Sequence, residues 1–255
     1  MAADDLTDPQ AVLQELLDAD QGVRDAFARA LEPELKELAA ALADGFRHLQ
    51  PVLEAGERVN LPRTNVMIAL AFGVIDDLIV STKLLTAGKL LPSGNVMRQA
   101  LEGLAMALLC STDDLLVIEQ PKGKRPVQAR YWEKFMKGDS RVQGQHALRQ
   151  LAWNAGTLGV NAEGVTVLQR AQKFFHPFSH CGQFPIASRA ALEHPGRFHI
   201  GGHFEEAKLG GYRIHMEQHI GLCGLLPPFF DHLLASFPRA DAAPAPAAPN
   251  PPAAG

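Results

Sequence analysis

Cysteine is scarce in this sequence, and its placement excludes two classes of protein. The three cysteines, Cys110, Cys181 and Cys223, are far apart and form no CxxC pair. An odd number of isolated thiols argues against a disulfide-linked scaffold and against a thiolate zinc knuckle. We therefore expect each cysteine to be a small apolar residue of the core.

Long uninterrupted apolar runs are also missing. The longest candidate, VMIALAFGVIDDLIV, is cut by Asp76 and Asp77, whereas a helix that spans a bilayer needs about 20 mostly apolar residues. The opening stretch MAADDLTDPQ carries acids where a signal peptide has basic residues. These features predict a cytoplasmic protein with no membrane partner, in which the apolar run is a buried helix.

Familiar catalytic motifs are absent as well. The stretch AGKLL lacks the upstream glycine and the Ser/Thr of a phosphate-binding loop, and the sequence contains neither GxSxG nor HExxH. The adjacent carboxylates Asp76-Asp77 and Asp113-Asp114 would point about 100° apart on helices, so neither pair can clasp one ion. Composition and short motifs therefore name no enzyme class.

Helical periodicity is what the chain does have. Apolar spacing, prolines and glycines predict helices over 9–31, 33–49, 62–87, 95–110, 127–137, 140–155, 163–180 and 212–237. The Gly- and Pro-rich stretch 182–211 predicts a loop or short hairpin, and the Pro/Ala-rich stretch 239–255 predicts a disordered tail. The resulting prediction is an all-α bundle of seven or eight helices, with residues 1–238 forming one domain.

Charge is unevenly distributed along the chain. Residues 1–60 carry 13 acidic and five basic side chains, so we expect acidic N-terminal helices ahead of a main bundle at 61–238. The segment 121–150 is the basic concentration. Contact with RNA or a nucleotide accounts for it, and so does a solvated helix face. Its first four bases are the candidate nucleic-acid residues: Lys122, Lys124, Arg125 and Arg130.

Histidine is concentrated towards the C-terminus, where eight of the ten lie between His176 and His232. Two of the pairs that are four residues apart lie in predicted helices, His176 with His180 and His215 with His219. On a helix this spacing turns both imidazoles to one side, where they can share a metal. The histidines alone leave metal binding and ordinary burial open.

Arg98 and Glu102 lie four apart on a face that is otherwise apolar. Charges in such a position are tolerated only when they are paired. They either form an internal ion pair or make the back wall of a site that contains Ser179 and His180.

The stretch VIDDLIVSTKLLTAGKLLPSGNVMRQALEGLAMALLC, followed by FFHPFSHCG, resembles bacterial HEPN-like helical proteins, including uncharacterised and abortive-infection-type families. The resemblance spans about residues 66–182. It implies a helical bundle, often dimeric, that acts on RNA or nucleotides in a defence or toxin-type role. Carried over to this chain, Arg98 would hold an anionic group and His180 would be the general acid or base. Glu102 would orient one of them, and Ser179 would donate a hydrogen bond.

That class carries an arginine and a histidine separated by four to six residues, and this chain has five such spacings, Arg141 with His146 among them. Fifteen arginines and ten histidines produce roughly two by chance. The residue after Arg141 is Val142, where the class usually has a polar residue. The spacing therefore selects no pair.

Two alternatives stay open. The stretch YRIHMEQHIGLCG resembles the last helix of DinB-like four-helix proteins, which implies a divalent transition metal held by His215, His219 and, on an earlier helix, His48. The other alternative is a non-enzymatic homodimeric scaffold whose acidic front and basic middle pair with each other or with a partner subunit.

Overall fold

The computed structural model describes residues 7–238. Within that range the chain forms eleven α-helices and one two-stranded antiparallel sheet. In chain order these are α1 Pro9–Leu17, α2 Gln21–Ala30, α3 Glu32–Val59, α4 Pro62–Thr86, α5 Leu90–Leu109, β1 Leu116–Glu119, β2 Val127–Ala129, α6 Tyr131–Met136, α7 Gly144–Leu158, α8 Ala162–Phe175, α9 Gln183–Arg189, α10 Leu209–Cys223 and α11 Leu226–Ala235. The predicted all-α bundle is confirmed for this range.

The antiparallel hairpin of α4 and α5 is the centre of the bundle. Both helices are apolar nearly all round, which is the pattern expected of a helix surrounded by protein. Met67 and Leu78 of α4 and Leu101 of α5 have no exposed surface. Helices α3, α10 and α11 pack together beside this hairpin, and α7 and α8 pack against α5.

The small sheet corrects the predicted helix over 127–137. Residues 127–129 pair with β1, and the helix begins only at Tyr131. The reason lies outside the segment, because two buried side chains of α7 bind the backbone of β1. The Asn154 side chain accepts from Val117 N and donates to Val117 O, and Gln150 donates to Ile118 O. These bonds fix β1, which then offers its other edge to residues 127–129.

Other helix boundaries also differ from the predictions. The first predicted helix is two helices that break near Asp18, and the second continues through Pro51 to Val59. The last predicted helix, 212–237, is divided into α10 and α11 at Gly224. Pro227 and Pro228 then occupy the first turn of α11, where a missing backbone N–H costs little.

The stretch 182–211 contains a short helix, α9, that periodicity did not predict. After α9 the chain folds back through an antiparallel bridge between Ala190 and Phe198, in agreement with the predicted short hairpin. The 3-10 turn His176–Ser179 ends α8 five residues earlier than predicted, because Pro177 cannot donate within a helix.

Two further expectations concern the cysteines and the tail. Cys110 and Cys223 are buried, but Cys181 is exposed, so its assignment to the core is wrong. The predicted tail at 239–255 lies outside the described residues. In residues 7–238 we find no helix with the length and hydropathy needed to cross a bilayer.

Candidate functional site

Arg98 and Glu102 form the ion pair that their spacing predicts. Arg98 Nε donates to Glu102 Oε1 over 2.9 Å, and both side chains are less than one-fifth exposed. A Cβ atom added to Gly144 would lie 2.7 Å from Glu102 Oε2, so the carboxylate sits against the N-terminus of α7. A helix N-terminus favours a negative charge, and this contact helps hold the pair inside the bundle.

Ser179 and His180 belong to a different cavity, of about 420 Å³, which Asn95 and Arg189 also line. Ser179 Oγ donates to Asn95 Oδ1 over 2.9 Å. The His180 ring lies 4.7 Å from the His176 ring, centroid to centroid. Both rings are exposed.

The predicted four-residue site therefore falls into two halves. Asn95 is one turn ahead of Arg98 on α5, so one helix supports both halves. Among the described residues no hydrogen bond or ion pair connects Arg98 or Glu102 to Ser179 or His180. The proposed roles of these four residues stay predictions.

Two of the three histidines of the alternative metal site lie together in the structure, and the third contacts another helix. His215 and His219 do lie side by side on α10, with ring centroids 5.0 Å apart. His48 instead meets Asp231 of α11, with 2.9 Å between Nδ1 and Oδ1. The part of the chain that the structure describes holds no group of three His, Cys, Asp or Glu side chains placed to bind a metal.

His215 and His219 instead end a buried hydrogen-bonded chain through Ser81 of α4 and Ser93 of α5. Ser81 Oγ is 2.7 Å from His219 Nε2 and 3.1 Å from Ser93 Oγ, which is 3.1 Å from His215 Nε2. His219 Nδ1 lies 2.9 Å from the carbonyl oxygen of His215. Burial lowers the pKa of His219 to about 4 and lowers that of His215 well below its ordinary value. Both rings are therefore neutral near pH 7.

A second histidine cluster fixes the loop after α9. The rings of His199 and His203 stack with centroids 4.0 Å apart. Lys208 Nζ lies 3.1 Å from His203 Nε2 and 2.9 Å from Glu205 Oε2. Burial alone would raise the pKa of Glu205, but the backbone N–H of Glu193 and the Lys208 ammonium lower it to about 2. Four of the eight histidines near the C-terminus thus take part in packing and loop anchoring.

Three of the four candidate nucleic-acid residues lie in one exposed turn, and the fourth is bonded to its neighbours. Lys122, Lys124 and Arg125 are exposed in the turn between β1 and β2. Arg130 lies beyond the turn, where it donates to Glu133 Oε1 and to the carbonyl oxygen of Asp113. The turn therefore offers three cations to a ligand, while Arg130 is held by its neighbours.

A polar cleft of about 330 Å³ opens at the base of this turn. Arg141, His146, Arg149 and Trp153 line it, together with residues 118–121 of the hairpin. The Arg149 guanidinium lies over the Trp153 ring, 5.1 Å from its centroid, and Arg149 Nη2 is 3.4 Å from His146 Nδ1. We call this the basic cleft.

The basic cleft is rigidly built. Gln150 donates both to Ile118 O and to Arg141 O over 2.7 Å, which ties α7 to the hairpin and to the Arg141 backbone. The Arg141 guanidinium holds Asp139 through two bonds of 2.9 and 2.6 Å. Asp139 and Glu119 are the acidic side chains near the cleft, and Arg141 is already partnered by one of them.

Two features of the basic cleft were visible in the sequence. The Arg141/His146 spacing selected no pair, and the basic segment 121–150 selected four candidate nucleic-acid residues that do not line the cleft. Their coincidence within one segment was the available signal. Trp153 and Gln150 had none, because their roles depend on the contact between α7 and β1.

No protein-family model, curated protein or solved structure matches this chain. The HEPN-like resemblance therefore stays a prediction, and the geometry of the chain carries the functional argument.

Proposed function

We propose that the protein binds RNA through the face formed by the β1–β2 turn and the basic cleft. One observation carries the proposal: the three exposed cations of the turn follow Pro121 in the chain, and Pro121 lines a polar cleft together with Arg141, His146, Arg149 and Trp153. Homodimer formation and a role in defence stay predictions beside it.

The chemistry of this face suits a phosphate backbone. Lysine and arginine supply the salt-dependent, sequence-independent part of nucleic-acid affinity. Lys122, Lys124 and Arg125 have exposed side chains without an acidic partner among the described residues. The acidic side chains nearby, Glu119 and Asp139, are fewer than the cations. The face therefore attracts a polyanion.

The cleft adds a feature that a charged surface alone lacks. Unpaired RNA bases stack on aromatic rings and on arginine planes, and the Arg149–Trp153 pair presents both within one cleft. A single-stranded RNA can therefore place phosphates on the turn and a base against this pair. This arrangement favours single-stranded RNA over a duplex, whose bases are already stacked.

Charge reversal at the turn is expected to weaken RNA binding strongly. In Lys122→Glu/Lys124→Glu/Arg125→Glu, each phosphate contact is replaced by a repulsion, so we expect affinity to fall by roughly a hundredfold or more. Fluorescence anisotropy of a short fluorescein-labelled single-stranded RNA, at low and moderate salt, measures it. The salt dependence of binding should also become shallower, because fewer counterions are released.

The matched control reverses the same number of positive charges on another surface. Arg29→Glu/Lys36→Glu/Arg58→Glu makes an equal change of net charge on exposed positions of α2 and α3, and it should leave the affinity nearly unchanged. An equal loss in both triple variants would show that only net charge matters. Absence of RNA binding by the unaltered protein at low salt would also refute the proposal.

The same RNA shows whether binding leads to cleavage. Gel analysis after incubation detects shortened RNA, and two single variants then locate the chemistry. Loss of cleavage in His180→Ala would assign it to the cavity with Ser179, whereas loss in His146→Gln would assign it to the basic cleft. Intact RNA in every case would leave the protein as an RNA-binding module.

A further inference from the structure

A mostly apolar cavity of about 440 Å³ lies on another part of the bundle, between α9, α10 and the end of α8. The rings of Phe174, Phe178, Phe184 and Tyr212 form its walls, and His215 also lines it. A volume of this size and an apolar lining with few polar groups are typical of sites for small molecules. We call it the aromatic cavity.

His215, which lines the aromatic cavity, carries an unsatisfied polar atom. The residue is 1 % exposed, and its Nδ1 is buried with no hydrogen-bond partner among the described residues. Buried polar atoms are nearly always paired with protein or with another molecule. The opposite ring nitrogen, Nε2, is already engaged by Ser93.

The hydrogen bonds among His215, Ser93, Ser81 and His219 determine whether His215 Nδ1 is a donor or an acceptor. His219 Nδ1 faces a carbonyl oxygen, so it carries the proton and Nε2 accepts from Ser81. Ser93 Oγ–H can then donate to Ser81, which leaves His215 Nε2–H to donate to Ser93. In this arrangement every donor is used. The reverse arrangement would bury an unpaired N–H, which folded proteins rarely do. His215 Nδ1 is therefore a bare acceptor.

We propose that the aromatic cavity binds a small, flat, mostly apolar molecule whose single hydroxyl or N–H group donates a hydrogen bond to His215 Nδ1. The aromatic walls suit a ring system, since offset and edge-to-face contacts with such rings stabilise it beyond burial alone. This site is separate from the basic cleft, and the proposal does not depend on RNA binding.

Two probes that differ in one group test the hydrogen bond. 1-Naphthol carries a hydroxyl donor, and 1-methylnaphthalene has a methyl group of similar size in its place. Intrinsic naphthalene fluorescence measures the affinity of each for the full-length protein and for His215→Phe. We expect His215→Phe to lower the naphthol-to-methylnaphthalene affinity ratio roughly fivefold to tenfold, as one net hydrogen bond predicts. An unchanged ratio would exclude His215 as the acceptor.

The location of the site is tested by filling the cavity. Gly211 lines it, and a Cβ atom built there meets nothing within 4 Å; the same is true of Gly210, which does not line it. Gly211→Leu should reduce 1-naphthol affinity at least tenfold, and Gly210→Leu, on the same helix turn, should leave it unchanged. Both glycines are exposed and have open space at the Cβ position, so both variants should fold, which circular dichroism verifies. The proposal fails if the unaltered protein does not bind 1-naphthol or if both leucine variants bind it equally well.

Discussion

Gly88→Ala is expected to lower the free energy of unfolding by roughly 3 kcal/mol. Gly88 has a φ of +72°, where alanine is strained by about 1 kcal/mol. In addition, an alanine Cβ would overlap the backbone of His203. Overpacking of this kind typically costs about 1–3 kcal/mol. The His203 backbone has little freedom to retreat, because the neighbouring Glu205 is buried and paired with Lys208. Urea unfolding followed by circular dichroism measures the change.

Gly123→Ala separates the two causes. Gly123 has nearly the same φ, +70°, but a Cβ there meets nothing within 4 Å. This variant should therefore lose only the conformational part, about 1 kcal/mol. If Gly88→Ala and Gly123→Ala were equally destabilised, the contact between Gly88 and the His203 backbone would not be a tight one.

The contact at Gly88 shows why the C-terminal histidines could not be interpreted from sequence. Gly88 and His203 are more than a hundred residues apart, and nothing in either neighbourhood indicates that they meet. The spacing of His199 and His203 matches that of a metal-binding pair, yet their rings stack in a loop that Glu205 and Lys208 hold in place. Spacing predicts a shared face on a helix and says nothing where the chain is not helical.

Local patterns predicted the parts of the molecule that local forces determine. The ion pair of Arg98 and Glu102 follows from positions one helical turn apart on α5. The start of α4 at Pro62 follows from the preference of proline for the first turn of a helix. Fold class was predictable for the same reason, since most elements are amphipathic or fully apolar helices.

Long-range contacts decided the rest. Residues 127–129 form a strand because α7 fixes the neighbouring β1 through Gln150 and Asn154. His48 was assigned to the metal pair of α10 as the third ligand on another helix, but α3 delivers it to Asp231 of α11. For the same reason the sequence showed that His215 and His219 share a face, but not that Ser81 and Ser93 would meet them.

The buried histidines His215 and His219 lead to a marked pH dependence of the free energy of unfolding. Burial lowers the folded-state pKa of His219 from 6.5 to about 4 and lowers that of His215 in the same direction. Between pH 6.5 and about 4 the unfolded chain therefore binds more protons than the folded protein, so the free energy of unfolding falls as pH falls. From pH 7 to pH 5, His219 alone should account for a loss of about 2 kcal/mol, at 1.36 kcal/mol per pH unit below 6.5. His215 adds to it.

Urea unfolding at pH 7, 6 and 5 measures this dependence in the unaltered protein and in His215→Phe/His219→Phe. The double variant has no imidazole to protonate at these two positions. Ser81 can donate to the carbonyl oxygen of Ser93, 2.8 Å away. It should therefore lose less stability between pH 7 and pH 5 than the unaltered protein, by at least about 2 kcal/mol. The exposed His176, changed to Gln, is the control and should leave the pH dependence as it is. Asp77, whose pKa burial raises to about 6, acts in the opposite direction in all three proteins, so it cancels in the comparison. Equal pH dependence in the unaltered protein and the double variant would mean that the two imidazoles become protonated without unfolding, contrary to a buried, neutral pair.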